Sequence, residues 1–284
     1  MEMNLTETSN VIVAIASAPL LNGLIKAAKA RLQNRRGPRL LQGYFDIRKW
    51  LHKDAVVSPT TSWIFAAAPY VYLAATVAAT VQLFAMDFIV MIYLLASGRF
   101  FLVLASLDAG SAFGGMGGAR EMFIAALVEP ALLLAAATLA LPAQSTQMAL
   151  LTATAESGSI QLSQLLAAIA FYLVLVAETG RIPVDNPDTH LELTMIHEGM
   201  ILEYSGHRLA LIHLAAALKQ LLFIVLFCQL FLPWGDAAWL AVKVMLVALL
   251  LALTETSTNK MRLFKVPEFL MLSGLISLLA LLAQ

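Results

Sequence analysis

Residues 209–232 read LALIHLAAALKQLLFIVLFCQLFL, and Lys219 is the only charged side chain among these 24 positions. A helix that crosses a membrane needs about 20 consecutive, mostly apolar residues, because the hydrocarbon core is about 30 Å thick. Pro233-Trp234-Gly235 follows directly and is typical of a helix end. The stretch therefore predicts a membrane-spanning helix.

The composition of the whole chain agrees with this prediction. The 284 residues are 60% hydrophobic, only 13% are charged, and the mean hydropathy is +0.82. Soluble proteins carry about 25% charged residues. A formal net charge of zero argues against nucleic-acid binding, which needs a concentrated basic face. The single cysteine, Cys228, excludes an internal disulfide, a cysteine-ligated cluster and a cysteine-based zinc site within this chain.

The same apolar pattern recurs along the chain and predicts an all-α integral membrane protein with one membrane domain. No basic residue precedes the first apolar run, so we expect a retained helix rather than a signal peptide. Pro142 and Pro267 mark further helix boundaries. The eight predicted spans are 9–30, 63–85, 88–107, 120–141, 160–180, 209–232, 237–256 and 267–283.

Lysine and arginine predict the orientation. The face formed by the loops after the first, third, fifth and seventh spans and by the adjoining span ends holds 15 of these residues, whereas the N-terminus and the other loops hold none. By the positive-inside rule, loops 31–62 and 181–208 are cytoplasmic and both termini face outwards. In the first of these loops, Leu40, Tyr44, Ile47 and Leu51 recur at helical spacing. They predict an amphipathic helix on the membrane surface, the alternative being a solvated basic loop.

Charged residues inside the predicted spans are candidates for function, because burying a charge in a membrane costs several kcal/mol. Arg99 lies in the third span, Glu129 in the fourth and Lys219 in the sixth. Glu129 precedes Pro130, which frees a backbone carbonyl and favours a polar path. Arg99 is either part of such a path or a structural counter-ion for an acid such as Glu129 or Glu178.

The segment ETGRIPVDNPDTHLELTMIHEGMILEYSGHR, residues 178–208, holds six carboxylates, two arginines and three histidines. Pro187 after Asn186 is typical of a helix start. We expect four of the acids to share the mouth of the helix bundle: Glu178, Asp185, Asp188 and Glu192. Like charges brought together raise each other's pKa, which suits a proton relay. The alternative is a solvated loop that only docks a partner.

Other kinds of site are poorly supported. The pattern of His190, Glu192, His197 and Glu198 matches no familiar metal-ligand spacing, so we predict no metal and no catalytic residue on this chain. The glycines of GGMGG, residues 114–118, follow no predicted strand and do not predict a nucleotide loop.

Three motifs carry a resemblance to a known family. The segment E-T-G-R-I-P-V-D…E-Y-S-G resembles the loop between the fifth and sixth helices of the complex I subunit at the junction of the membrane and peripheral arms. N-R-R-G-P at 34–38 resembles that family's first loop, and A-R-E-M-F-I-A-A-L-V-E-P at 119–130 resembles its fourth helix, where Glu129 falls on the membrane-embedded glutamate. The likeness covers nearly the whole chain.

The departures from the family pattern favour one branch of it. Val184, Asp188 and His190 replace a phenylalanine and two glutamates, and about three extra residues precede Glu203. The sequence T-H-L-E-L-T-M-I-H-E resembles the corresponding segment of energy-converting, membrane-bound [NiFe] hydrogenases and formate hydrogenlyases.

The resemblance implies a bacterial or archaeal inner-membrane subunit that anchors a redox module and couples it to proton or sodium movement. It implies partners: hydrogenase large and small subunits, an iron–sulfur subunit and antiporter-like membrane subunits, with the nickel–iron centre and iron–sulfur clusters outside this chain. The expected ion path comprises Glu129, Glu178, Asp185, Asp188, His190, Glu192, Glu203 and Lys219. The residues expected to dock the soluble arm or balance charge are Arg35, Arg36, Arg99, Arg120, Arg181 and Arg208.

Three alternatives remain open from the sequence. The chain could frame a quinone site, as in a respiratory NADH:quinone oxidoreductase, or serve as a passive membrane anchor. A stand-alone transporter fits least well, because the large charged face predicts a permanent partner.

Overall fold

The computed structural model describes residues 5–85, 87–157, 161–186, 195–235 and 237–284. Within these ranges the chain is built from helices, and Asp87 and Gln147 form an isolated β-bridge. The α-helices are α1 Leu5–Leu32, α2 Gln42–Leu51, α3 Trp63–Ala85, α4 Phe88–Asp108, α5 Ala112–Ala143, α6 Met148–Ser157, α7 Leu162–Glu178, α8 His197–Ile201, α9 Gly206–Phe231, α10 Leu240–Ser257 and α11 Val266–Leu282. Short 3₁₀ turns, Ala237–Trp239 and Leu263–Lys265, precede α10 and α11.

Helix length and composition confirm the all-α membrane class. Seven helical segments of the described chain are long and apolar enough to cross a membrane: those containing α1, α3, α4, α5, α9, α10 and α11. The remaining predicted span corresponds to α7, an apolar helix of 17 residues. A rise of about 1.5 Å per residue places α7 at the short end of the range that can span a bilayer.

The predicted helix bounds differ most at the start of α5. The sequence predicts a span from residue 120, but α5 begins at Ala112 and includes the GGMGG run. Glycine weakens a helix by about 1 kcal/mol relative to alanine, so this run looked like a loop. The reason for glycine is close packing: a Cβ on Gly117 would lie 3.0 Å from backbone atoms of Gly199 and Met200.

Two short helices were not predicted. Helix α6 lies in the predicted outer loop after α5, and α8 lies in the predicted cytoplasmic loop 181–208. Helix α8 is five residues long and is held by α5, where Arg120 Nη1 donates to the Met195 carbonyl at 2.9 Å. Such a short helix depends on its neighbours rather than on its own sequence pattern.

Helix α9 occupies the centre of the bundle. It contacts α1, α2, α3, α7 and α10, and nearly every side chain of its second half is buried. Its long apolar run is buried by protein on all sides, as expected for a helix without a polar face. Lys219 and Gln220 therefore lie inside the protein, where 8% and 5% of the whole residue, backbone included, is exposed.

The predicted amphipathic helix is present as α2, which packs on α1 and α9. The Tyr44 hydroxyl donates to the Ala16 carbonyl of α1. At the other end of α2, the Trp50 ring stacks on His213 of α9 with ring centroids 4.6 Å apart. These contacts fix α2 against the bundle.

Candidate functional site: two charged networks at the end of α7

The chain turns sharply where α7 ends. Gly180 has a φ of +59°, a left-handed conformation that glycine adopts without steric cost. The Arg181 amide donates to the Val176 carbonyl at 3.1 Å, which closes the helix end. As a result Glu178, the last residue of α7, and Arg181 belong to two different networks of charged side chains.

The first network is centred on Glu178. Both of its carboxylate oxygens accept hydrogen bonds from Arg99 Nη2 of α4, each at 2.5 Å, and Lys219 Nζ of α9 lies 2.6 Å from Oε2. All three side chains are nearly fully buried, with exposed fractions of 3% for Glu178, 8% for Arg99 and 11% for Lys219. Removing such charges from water is tolerable only when they are paired, as they are here.

Two acids of α5 extend the first network around Arg99. Glu129 Oε1 lies 3.4 Å from Arg99 Nη1, and Glu121 Oε1 lies 3.7 Å from Arg99 Nε. Arg99 is therefore the counter-ion of Glu129 and Glu178 together, which is one of the two alternatives posed by the sequence. Its part in an ion path stays a prediction. Glu121 was not predicted, although it lies in the A-R-E-M motif.

The second network is centred on Arg181. Its Nη1 lies 3.1 Å from Glu255 Oε1 of α10, and its Nη2 donates to Asn22 Oδ1 at 2.7 Å and to Gln220 Oε1 at 2.8 Å. Lys29 of α1 reaches the other oxygen of Glu255 at 3.1 Å. The sequence placed Glu255 in an apolar span but gave it no role, and the neutral partners Asn22 and Gln220 gave no signal at all.

Asp185 lies between the helix bundle and the segment before α8. Its Oδ1 lies 2.9 Å from Lys260 Nζ, and its Oδ2 accepts the His197 amide at 3.2 Å. Glu178 and Asp185 each have a cation as their closest charged neighbour. The expected four-acid cluster stays a prediction, because Asp188 and Glu192 lie outside the described residues. A buried carboxylate is cheapest beside a cation, and that cost decides the arrangement.

A cavity of about 450 Å³ lies beside both networks and Asp185. Glu178, Asp185, Arg181 and Lys219 line it, and so does Glu121. Its further lining includes Trp50 of α2 and His213 of α9, so the first loop closes one side. The cavity places both networks beside one polar volume within the bundle.

The cavity lining does not include five further predicted residues that the structure describes: Arg35, Arg36, Arg120, Glu203 and Arg208. Asp188, His190 and Glu192 lie outside the described residues. Arg35, Arg36 and Glu203 are exposed on the surface, and Arg208 and Arg120 are partly buried. In the described part of the chain, no three His, Cys, Asp or Glu side chains form a group that could hold a metal ion.

The E-Y-S-G motif joins the two long loops on the same side of the bundle. The Tyr204 ring stacks on Phe65 at 4.0 Å, and its hydroxyl donates to the Phe65 carbonyl at 3.0 Å. Burial raises the pKa of the Tyr204 hydroxyl, which keeps it protonated as a donor. Ser205 Oγ accepts from the Val56 amide at 2.8 Å, and Gly206 has a φ of +58° directly over Asp54. This motif therefore positions the start of α9.

Comparison with known proteins matches this architecture. The sequence profile described as NADH dehydrogenase matches residues 7–283. The chain belongs to this family. Two Escherichia coli (strain K12) members are similar along most of their length. Formate hydrogenlyase subunit 4 is 36% identical over 258 residues, covering 86% of this chain and 82% of the relative. Hydrogenase-4 component C is 38% identical over 259 residues, covering 87% and 81%.

Two further likenesses are a partial sequence match and a match of fold. An NADH-quinone oxidoreductase subunit of Thermomicrobium roseum (strain ATCC 27502 / DSM 5159 / P-2) is 39% identical over 88 residues, 29% of this chain and 25% of the relative. A chain in the structure of the membrane-bound sulfane sulfur reductase, an archaeal respiratory membrane complex, has the same fold, with a TM-score of 0.86, 20% identity and 99% coverage of both chains. This protein is thus a complex-I-like, multi-pass membrane subunit.

Proposed function

We propose that this subunit anchors the redox module of a membrane-bound [NiFe] hydrogenase or formate hydrogenlyase and couples electron transfer to proton or sodium movement. The similarity to the two Escherichia coli subunits along most of the chain supports this assignment. Hydrogenase large and small subunits and an iron–sulfur subunit would hold the nickel–iron centre and the clusters. Antiporter-like membrane subunits would complete the assembly.

The charge of the first network carries the proposal of ion coupling. In the described part of the chain, the carboxylates of Glu121, Glu129 and Glu178 surround two cations, Arg99 and Lys219. One negative charge is left over within the membrane-spanning helices. Such a charge is costly, and the uptake of one proton or one sodium ion removes it.

Glu129 is the acid best placed to exchange that ion. Its side chain is 32% exposed, compared with 3% for Glu178, and it is held by one contact of 3.4 Å. When Glu129 takes up a proton, its attraction for Arg99 falls, and Arg99 keeps its shorter bonds to Glu178. Arg99 thus links an exchangeable acid to a fixed one, and Glu178 in turn reaches Lys219 on the central helix α9.

The decisive experiment replaces Glu129 by glutamine in the intact complex. In inside-out vesicles driven by a low-potential electron donor, we expect the Glu129→Gln variant to assemble but its ion uptake to fall by about tenfold or more, because an amide cannot bind or release a proton. The matched control is Glu268→Gln, since Glu268 is exposed at the start of α11. Normal ion uptake by the Glu129→Gln variant would show that the relay proposal is wrong.

A quinone reductase is the second candidate, favoured by the 88-residue match to a quinone oxidoreductase subunit. Mild-detergent purification with nickel analysis separates the two. Nickel in the complex, with hydrogen evolution from a low-potential donor, supports the hydrogenase. Quinone-dependent turnover without nickel supports the alternative and would overturn our assignment.

A further inference from the structure

A second cavity lies on the outside of the bundle, away from the charged networks. Its volume is about 700 Å³, and it shares no lining residue with the cavity beside Glu178. Helices α1 and α10 and the segment 37–40 form its walls. Most of the α10 side of this groove is apolar and outward-facing: Val242, Met245, Leu246 and Leu249 are 43–49% exposed. In a membrane-spanning helix, such side chains face hydrocarbon.

The segment after α1 gives the groove its shape. It folds back along α1, where Gly37 packs against Ala27 and Ala30, and the Leu40 carbonyl rests on Gly23. A Cβ on Gly37 would lie 3.1 Å from the Cα of Ala27, a tight contact, so glycine favours the close approach. This path brings Arg39 beside an apolar stretch of α1.

Two guanidinium groups therefore line a mostly apolar groove. Arg31 lies in the last turn of α1 and Arg39 in the returning segment, and both are exposed. Among the described residues, no carboxylate lies within salt-bridge distance of either arginine. By contrast, the arginines of the central cavity, Arg99 and Arg181, are each paired with a buried acid. The groove thus combines two arginines that face no carboxylate of the described chain with a wall of apolar side chains.

One class of molecule combines an anionic group for the arginines with a long apolar chain for the apolar wall. We propose that the groove binds an anionic phospholipid, with its phosphate against Arg31 and Arg39 and an acyl chain along α10. Guanidinium groups bind phosphate oxygens with strong, charge-assisted hydrogen bonds, and basic pockets between membrane helices bind anionic headgroups. A hydrophobic partner helix would fill the apolar walls but leave both arginines without a counter-ion. The lipid site does not depend on the hydrogenase assignment.

The test measures lipid binding to the purified intact complex by native mass spectrometry. The complex is equilibrated in detergent with equal amounts of phosphatidylglycerol and phosphatidylcholine. We expect selective retention of phosphatidylglycerol, and a loss of apparent affinity of about fivefold each for Arg31→Gln and Arg39→Gln. The matched controls are Arg48→Gln and Arg262→Gln, which remove exposed charges of the same predicted cytoplasmic face that do not line the groove.

An uncharged variant tests the apolar part of the groove separately. Leu249→Trp on the exposed face of α10 should fill the space and reduce retention of the lipid without changing any charge. Equal losses in all four arginine variants would show attraction to the basic face as a whole and would overturn the proposal. A photo-crosslinking residue placed at Met245 gives a second check. Crosslinking to a protein subunit instead of a lipid would also overturn the proposal. Each variant carries one substitution at an exposed residue. If one variant fails to fold, the remaining variants still test the lipid site.

Discussion

The two networks at the end of α7 share a plan but differ in the partners of their arginines. In each, one buried carboxylate lies between an arginine and a lysine: Glu178 between Arg99 and Lys219, and Glu255 between Arg181 and Lys29. The further contacts of Arg99 are carboxylates, whereas those of Arg181 are the neutral amides of Asn22 and Gln220.

We propose that this difference separates a network that changes its charge from one that holds the structure together. Additional acids around Arg99 compete for it, so a proton on one of them redistributes the others. Amides around Arg181 cannot titrate, and their hydrogen bonds fix the guanidinium in one position. We therefore expect substitutions in the Arg181 network to affect stability alone and substitutions in the Arg99 network to affect ion coupling as well.

The largest expected effect on stability comes from the Arg181 network. Replacing Glu255 by alanine removes the carboxylate between Arg181 and Lys29, whose side chains are 6% and 14% exposed. Breaking a buried ion pair costs about 3–5 kcal/mol, because an uncompensated charge remains. Thermal unfolding of the purified complex in detergent should show a clear fall in the midpoint of this subunit.

The matched control for that substitution is Glu268→Ala, because Glu268 is exposed at the start of α11. A surface substitution of this kind changes stability by less than about 0.5 kcal/mol. If Glu255→Ala and Glu268→Ala unfold at the same temperature, the Arg181 network does not stabilise the fold and the contrast drawn above fails.

An intermediate effect is expected for the pair Glu178 and Lys219. Glu178→Gln leaves Lys219 without its carboxylate, and Lys219→Met leaves Glu178 with Arg99 alone. The double variant removes both charges, so it should be more stable than the sum of the two single losses by about 1–3 kcal/mol. A double-mutant cycle of unfolding free energies measures this coupling, and strict additivity would mean that the 2.6 Å contact contributes nothing.

The sequence predicted the helices of this protein better than its site. Apolar runs and prolines predicted eight long helices because membrane spanning imposes a length, and charge inside those runs identified Arg99, Glu129 and Lys219. It could not predict which charges pair, since Glu178 and Lys219 are 41 positions apart in the chain. The predicted span starts eight residues after α5 does, because the glycines that contact α8 add little to an apolar pattern.

The smallest effect is expected for an amide of the Arg181 network. Gln220→Leu removes one hydrogen bond to Arg181 Nη2, which keeps Asn22 and leaves Nη1 with Glu255. Hydrogen bonds between membrane helices contribute about 0.6 kcal/mol on average and at most about 1.7 kcal/mol. We therefore expect a loss of stability within that range, measured by the same thermal unfolding assay.

Gln229→Leu on the same helix provides the comparison. The Gln229 Oε1 atom is buried, and no hydrogen-bond partner for it is found in the described part of the chain. Replacing an unsatisfied buried amide by a side chain of similar size should be neutral or stabilising. A Gln220→Leu loss as large as that of Glu255→Ala would show that the amide holds Arg181 in place for Glu255. The second network would then act as one cooperative unit rather than as an ion pair with neutral neighbours.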